Sequence, residues 1–108
     1  MPKIKRTQIT VPKEKIGEFC GKYHIRELLF FGSVLRKDFG PDSDVDVLVT
    51  FAADSRHSLF DLGEMEDELS TMFGRKVDLV EKGAIERSEN YIRRRNILST
   101  ASVVYAAR

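Results

Sequence analysis

The sequence contains one cysteine, Cys20, and two histidines among its 108 residues. A single cysteine excludes an internal disulfide and a cysteine-based metal cluster, and the histidines do not have the spacing of zinc ligands. No apolar run reaches the length of a membrane span, and no signal-peptide pattern follows Met1. Internal repeats, low-complexity tracts and linkers are also missing. We therefore expect one cytoplasmic domain over residues 1–108, without membrane contact.

Charge is segregated along the chain, although the formal net charge is only +1. Residues 1–26 hold seven Lys/Arg against two Asp/Glu, residues 27–81 hold five against thirteen, and residues 82–108 hold six against two. An acidic middle suits a metal-dependent site, and basic ends suit nucleotide phosphates or an acidic partner. Solvated helix faces explain the same distribution equally well, so charge alone does not decide the function.

The stretch 28–51, LLFFGSVLRKDFGPDSDVDVLVTF, organises the rest of the chain. It predicts a buried strand, a turn at Gly32 and Ser33, and a second strand that begins at Asp44. Alternation along that strand places Asp44 and Asp46 on one face. Two carboxylates beside a buried chain repel each other and lose hydration, so such a pair is tolerated mainly where a cation or a substrate-bound metal neutralises it. The alternative is a strand whose acidic face meets solvent. Mg²⁺ suits this pair, because it takes one or two carboxylates together with substrate phosphates.

The Gly-Ser turn supplies the phosphate half of the same hypothesis. Gly32 lets backbone N–H groups approach a phosphate closely, and the Ser33 hydroxyl can donate to it. A short helix predicted from Val34 to Lys37 would aim its N-terminal N–H groups at the same phosphate. Arg36 either reaches a triphosphate or steadies Asp44, and its alternative is a plain surface charge. The stretch thus indicates a metal-nucleotide site.

The flanking segments predict the remaining elements. A basic arm over residues 1–10 precedes a helix that starts near Pro12. Ser58 and Asp61 form a capping-box pattern for a helix from Leu59 to Phe73, ended by Gly74. A third strand is predicted from Lys76 to Val80, and it carries Asp78. Taken by itself, this acid is explained as an edge-strand charge that discourages aggregation. One or two helices are expected over residues 83–108.

The pattern of Gly-Ser, ten residues, then Asp-apolar-Asp-apolar resembles the DNA polymerase beta-like nucleotidyltransferase superfamily. Within it, GSVLR at 32–36 and SDVDVLV at 43–49 are most similar to the minimal nucleotidyltransferases of prokaryotes, small single-domain proteins often paired with a helical HEPN-type partner as antitoxin and toxin. The resemblance covers residues from about 25 to about 105. Lys37 departs from it, because many members carry glycine after the arginine.

The resemblance implies an α/β (α+β) fold, a small mixed sheet of the polymerase beta-like core flanked by helices. It implies transfer of a nucleotidyl group, AMP from ATP or from another NTP, to a hydroxyl, with Mg²⁺ or Mn²⁺ as cofactor. The acceptor it implies is a tyrosine of a HEPN-type toxin, which makes the protein an antitoxin. The catalytic and metal-binding residues it implies are Asp44, Asp46 and Asp78. Those assigned to the nucleotide are Gly32, Ser33, Arg36 and Ser43.

Two other classes of function stay open at this point. One is a non-catalytic antitoxin that inhibits its partner by contact, and three retained acids argue against it. The other is the nucleotide-binding subunit of a two-chain transferase acting on small molecules or RNA ends. The Arg93-Arg94-Arg95 triplet fits a nucleotide, RNA, an acidic partner or a solvated face, but no aromatic-rich basic platform favours nucleic acid. Homo- or hetero-oligomers are compatible with the sequence.

Overall fold

The computed structural model of the chain describes residues 11–32, 43–53 and 57–107. Within these ranges there are four helices and four strands. They are α1 (Lys13–Lys22), β1 (Ile25–Phe31), β2 (Val45–Phe51), α2 (Leu59–Phe73), β3 (Val77–Glu81), α3 (Lys82–Glu86), α4 (Tyr91–Thr100) and β4 (Ser102–Ala106). None of the helices in the described part of the chain is long and apolar enough to cross a membrane. The basic arm expected at 1–10 and the short helix expected after Ser33 lie outside the described residues.

The four strands form one mixed sheet in the order β3-β2-β1-β4. β1 runs antiparallel to both β2 and β4, and β2 runs parallel to β3. Because α2 connects the two parallel strands, the predicted crossover unit is confirmed. The predicted fold class, a small mixed sheet flanked by helices, is also confirmed.

Side-chain alternation along the strands divides the buried residues between the two faces of the sheet. Val47 and Val49 of β2 pack in a first core that also contains buried residues of α1 and α2. Leu48 points the other way, into a smaller second core with Ile85 of α3 and Ile97 of α4. The second core lies on the face to which alternation along β2 assigns the predicted acids.

Cys20 belongs to the first core, where it packs as a small apolar side chain. It is fully buried, and this burial raises the pKa of its thiol to about 12. Because the thiolate is the reactive form of cysteine, the group serves packing only.

The helix α2 has the termini that its sequence predicts. Ser58 Oγ accepts a hydrogen bond from the Asp61 N–H at 3.2 Å, and Asp61 Oδ2 accepts one from the Ser58 N–H at 2.9 Å. Gly74 ends the helix in the left-handed conformation, with φ of 68°, and its N–H bonds to the Ser70 carbonyl. The capping box and the glycine stop are therefore confirmed.

The edge strand β3 is joined to α2 by two hydrogen bonds, in which backbone N–H groups of the strand donate to side chains of the helix. The Val77 N–H donates to Ser70 Oγ at 3.0 Å, and the Leu79 N–H donates to Glu66 Oε2 at 2.8 Å. Glu66 has the sequence position of a surface acid of α2, but its carboxylate accepts the Leu79 N–H and so satisfies a backbone donor of the edge strand. The two bonds hold β3 on either side of Asp78.

We expect Glu66→Ala to lower the free energy of unfolding by about 1–3 kcal/mol, because it leaves the Leu79 N–H without its charged acceptor. The matched control is Glu64→Ala, at an exposed position of the same helix, for which a change within about 0.5 kcal/mol is expected. Urea unfolding followed by circular dichroism measures both values. Equal losses in the two variants would show that Glu66 contributes no more than a surface charge.

The C-terminal segment differs from the helices expected over residues 83–108. Helices α3 and α4 form there, but the chain then continues into β4, which pairs with β1 through Leu28 with Tyr105 and Leu29 with Val103. β-Branched and aromatic residues favour a strand at this place, and the edge of β1 supplies the hydrogen-bonding partner. That partner is distant in sequence, so local patterning gave no sign of it.

Candidate functional site

The predicted site residues that the structure describes lie at one end of the sheet. Gly32 follows the last residue of β1, Phe31, and Phe31 is paired with Asp46 of β2. Asp46 is in turn paired with Asp78 on β3. Asp44 comes directly before β2 and is exposed. The strand register therefore brings four residues to the same end of the sheet, namely Gly32, Asp44, Asp46 and Asp78.

Asp46 and Asp78 are in-register neighbours on parallel strands. Paired residues of parallel strands direct their side chains to the same face, and the strands are about 4.8 Å apart. The next pair along this face is Leu48 with Val80, and both of these residues pack in the second core. Asp46 is half-buried and Asp78 is exposed. One carboxylate thus lies at the border of the apolar core while the other meets solvent.

Gly32 is fitted directly against the Asp46 carboxylate. Its φ of 73° lies in the left-handed region, which side chains other than glycine rarely adopt. A Cβ atom at this position would overlap Asp46 Oδ2. Backbone conformation and available space both favour glycine, so the backbone of this turn lies directly against the carboxylate.

Arg75 is a residue of the site that the sequence motifs did not indicate. Its Nη1 donates to the Ser43 carbonyl at 3.2 Å, and the Val45 N–H donates to the Lys76 carbonyl at 2.9 Å. These bonds attach the backbone on both sides of Asp44 to the segment that leads into β3. The only sequence signal was a basic residue between the glycine stop of α2 and the third strand.

The predicted nucleotide-binding residues are only partly within the described chain. Gly32 and Ser43 are described, and Ser43 is half-buried with its carbonyl bonded to Arg75. Ser33 and Arg36, together with Lys37, lie outside the described residues. Their roles stay predictions from the motif.

The acids fit a cation that a bound nucleotide helps to coordinate. In the described ranges, no three His, Cys, Asp or Glu side chains are grouped so that they could hold a metal ion by themselves. Mg²⁺ typically binds one or two carboxylates and takes other ligands from substrate phosphates and water. Carboxylates at Asp44 and Asp46 match that donor set, with oxygen ligands of the right hardness.

A cavity of about 450 Å³ opens beside these residues. Phe31, Gly32 and Asp46 line it from the sheet, and residues of α4 line it from the other side. A glycine turn beside acids on two neighbouring strands, with a cavity of ligand size, can hold a cation together with a phosphate-bearing ligand. The fold and site together define the class of nucleotide-transferring α/β domains.

The family model of the nucleotidyltransferase domain matches residues 13–101, which is most of the chain. The chain therefore belongs to the nucleotidyltransferase domain family, as the Gly-Ser and Asp-apolar-Asp motifs predicted.

Two curated relatives are similar to this chain in sequence. A protein of Methanocaldococcus jannaschii, named as an inferred protein adenylyltransferase, is 43% identical over 65 residues, which cover 60% of this chain and 64% of the relative. The protein adenylyltransferase MntA of Thermococcus cleftensis is 36% identical over 78 residues, or 72% of this chain and 74% of the relative. The chain thus matches a little less than two thirds of the first relative's length and about three quarters of the second's.

Two solved structures are similar to this chain in fold. A toxin-antitoxin crystal structure with AMP-PNP gives a TM-score of 0.67 at 18% identity, covering 91% of this chain and 76% of the other. A Shewanella oneidensis complex of a tri-AMPylated HEPN toxin with an MNT antitoxin gives 0.58 at 21% identity, covering 88% of this chain and 70% of the other. At these identities the likeness concerns the fold.

Proposed function

We propose that the protein is a divalent-cation-dependent adenylyltransferase, which transfers AMP from ATP to a hydroxyl group. The observation that carries this proposal is the register pairing of Asp46 with Asp78, beside a glycine whose left-handed backbone and contact with Asp46 disfavour any side chain. Asp46 lies at the border of the second core and Asp78 meets solvent beside it, so their like charges repel each other and favour a cation between them. Membership of the nucleotidyltransferase family supports the same chemistry.

Each acid has a stated role in this proposal. Asp44 and Asp46 hold the cation, Mg²⁺ or Mn²⁺, and Asp78 takes part in a second cation site and receives the proton of the acceptor hydroxyl. When bound, the cation neutralises charge on the triphosphate and on the transition state. The turn at Gly32 and Ser33 holds the β- and γ-phosphates.

The transfer itself is an in-line displacement at the α-phosphorus. The acceptor oxygen forms a bond to this phosphorus as the bond to the bridging oxygen of the β-phosphate breaks, and pyrophosphate leaves. The hydroxyl proton passes to the Asp78 carboxylate. Positioning and charge neutralisation by the residues at the end of the sheet provide most of the acceleration.

We further propose that the acceptor is a tyrosine of a HEPN-type toxin and that the protein acts as its antitoxin in the cytoplasm. The names of the two curated relatives and the AMPylated HEPN toxin in the Shewanella complex support this acceptor. The basic surplus of residues 82–108 gives the chain a surface for an acidic partner. A free, buried thiol at Cys20 agrees with a reducing compartment.

The test is incubation of the protein with Mg²⁺, ATP and the protein that the neighbouring gene encodes. Label from the α-phosphate of ATP is expected on a tyrosine of the partner, and label from the γ-phosphate is not, which separates nucleotidyl transfer from phosphorylation. Replacing the labelled tyrosine by phenylalanine should remove the signal. A stable complex without label would support inhibition by contact, and label on RNA ends or small molecules would support the two-chain transferase.

A further inference from the structure

The three consecutive arginines of α4 differ in their surroundings. Successive residues of a helix are rotated by about 100°, so a triplet covers most of the circumference. Arg93 lines the cavity beside Asp46. Arg94 turns back to the loop before the helix, where its Nη1 donates to the Ser88 carbonyl at 3.2 Å. Arg95 is exposed and does not line this cavity. The triplet is therefore one cavity residue, one structural residue and one surface residue.

Arg94 also explains the position of Tyr91. Its guanidinium lies 5.3 Å from the centre of the Tyr91 ring, and this ring is 58% exposed. Tyr91 is therefore not a core residue, and its ring serves as a platform for Arg94 at the surface. The contact and the loop hydrogen bonds hold the first turn of α4 in place, which fixes where Arg93 emerges.

The residues of α4 that line the cavity, together with its N-cap, are partly polar and partly apolar. Asn90, Arg93 and Asn96 follow each other at intervals of three, so they lie along one side of the helix. Asn90 Oδ1 accepts the Arg93 N–H at 3.1 Å as the helix cap. Phe31 and Ile97 lie below and are largely buried. A cavity with an apolar floor and a few polar groups around it is typical of sites for small organic ligands.

The charges of the cavity identify the class of ligand. Among the described residues that line it, Arg93 carries the one positive charge and Asp46 carries the one negative charge. No carboxylate in the ranges 11–32, 43–53 and 57–107 pairs with the Arg93 guanidinium. A ligand that lies between Arg93 and Asp46 needs an anionic part. This part would contact the arginine directly and the aspartate through a bound cation. A nucleoside triphosphate has that anionic part and also an aromatic nucleobase, whereas a tyrosine acceptor offers an aromatic ring without the phosphates.

We propose that this cavity holds the nucleotide and that Arg93 binds its phosphates from the side opposite Asp46. This inference rests on the proposed function and adds a residue to it that the Gly-Ser and Asp motifs do not contain. A guanidinium presents several N–H donors that match phosphate oxygens, so it anchors the triphosphate more specifically than an ammonium does. Arg93 acts in ground-state binding and in placing the α-phosphorus over the acids.

The experiment compares Arg93→Ala, Arg93→Lys and Arg95→Ala in calorimetric titrations with ATP and with adenosine, both in the presence of Mg²⁺. Arg93→Ala should weaken ATP binding by about 10- to 100-fold and leave adenosine binding unchanged, since only ATP has phosphates to lose. Arg93→Lys should recover part of the loss. Arg95→Ala, with the same change of charge on the same helix, should bind both ligands as the parent does.

Other outcomes overturn the inference without touching the proposed function. Equal weakening of ATP and adenosine binding would assign Arg93 a structural role, and equal weakening of ATP binding by Arg93→Ala and Arg95→Ala would reduce its role to general surface charge. Unchanged ATP binding with a raised KM for the protein acceptor would place the acceptor in the cavity instead. Failure of the parent protein itself to bind ATP would count against the proposed function, and is recognised before any variant is compared.

Discussion

Asp46→Asn is expected to lower nucleotidyl transfer at least about 100-fold while the protein keeps its fold. The amide has nearly the size of the carboxylate, so the half-buried position beside Phe31 remains filled. It lacks the charge that would hold a cation next to Asp78. The loss therefore falls on chemistry and on cation-dependent nucleotide binding, and much less on packing.

This expectation is measured as transfer of label from α-labelled ATP, with circular dichroism and cooperative unfolding as checks of the fold. Asp44→Asn should behave in the same way. Asp67→Asn is the matched control, because it removes one negative charge from an exposed position of α2, and it should retain full activity. Full activity in both Asp44→Asn and Asp46→Asn would sink the assignment of these acids.

Gly32→Ala is expected to be destabilised by about 1–2 kcal/mol and to lose activity at least about 10-fold. The stability loss follows from a residue with a side chain in the left-handed region. The activity loss follows from the overlap of the new Cβ with Asp46 Oδ2, which must move away from its place in the site.

The control for this prediction is Gly63→Ala in α2, where a Cβ meets no atom within 4 Å. Alanine there should stabilise the protein by about 0.5–1 kcal/mol, because it favours the helix, and activity should not change. Chemical unfolding and the label-transfer assay are carried out on both variants. A Gly32→Ala protein that is as stable and as active as the parent would show that the position of the Asp46 carboxylate does not depend on the absence of a side chain at residue 32.

Elements determined by local chemistry could be predicted from the sequence. The bounds of α2 follow from a capping box at its start and from Gly74 at its end, and both are signals within a few residues. The face of β2 on which Asp46 lies could be predicted, because neighbouring side chains of a strand point to opposite faces and the valines on either side of Asp46 are buried. Such features need no knowledge of which segments meet in space.

Features that depend on tertiary pairing could not be predicted in the same way. The strand β4 exists because β1 has an edge for it, and the pairing joins segments more than 70 residues apart. Glu66 has the appearance of a surface acid until β3 is placed beside α2. Arg75 and Arg93 were not singled out as individual site residues for the same reason, since each acquires its role from a segment that is distant along the chain.

The contact between Gly32 and Asp46 also couples the evolution of these two positions. A lineage that replaced the glycine first would disturb the acid, and one that lost the acid first would remove the steric half of the reason to keep the glycine. The two positions should therefore change as a pair in descendants of such a chain. Where an inactive copy arises, the loss of Asp46 is the step after which residue 32 becomes freer to vary, limited only by its backbone conformation.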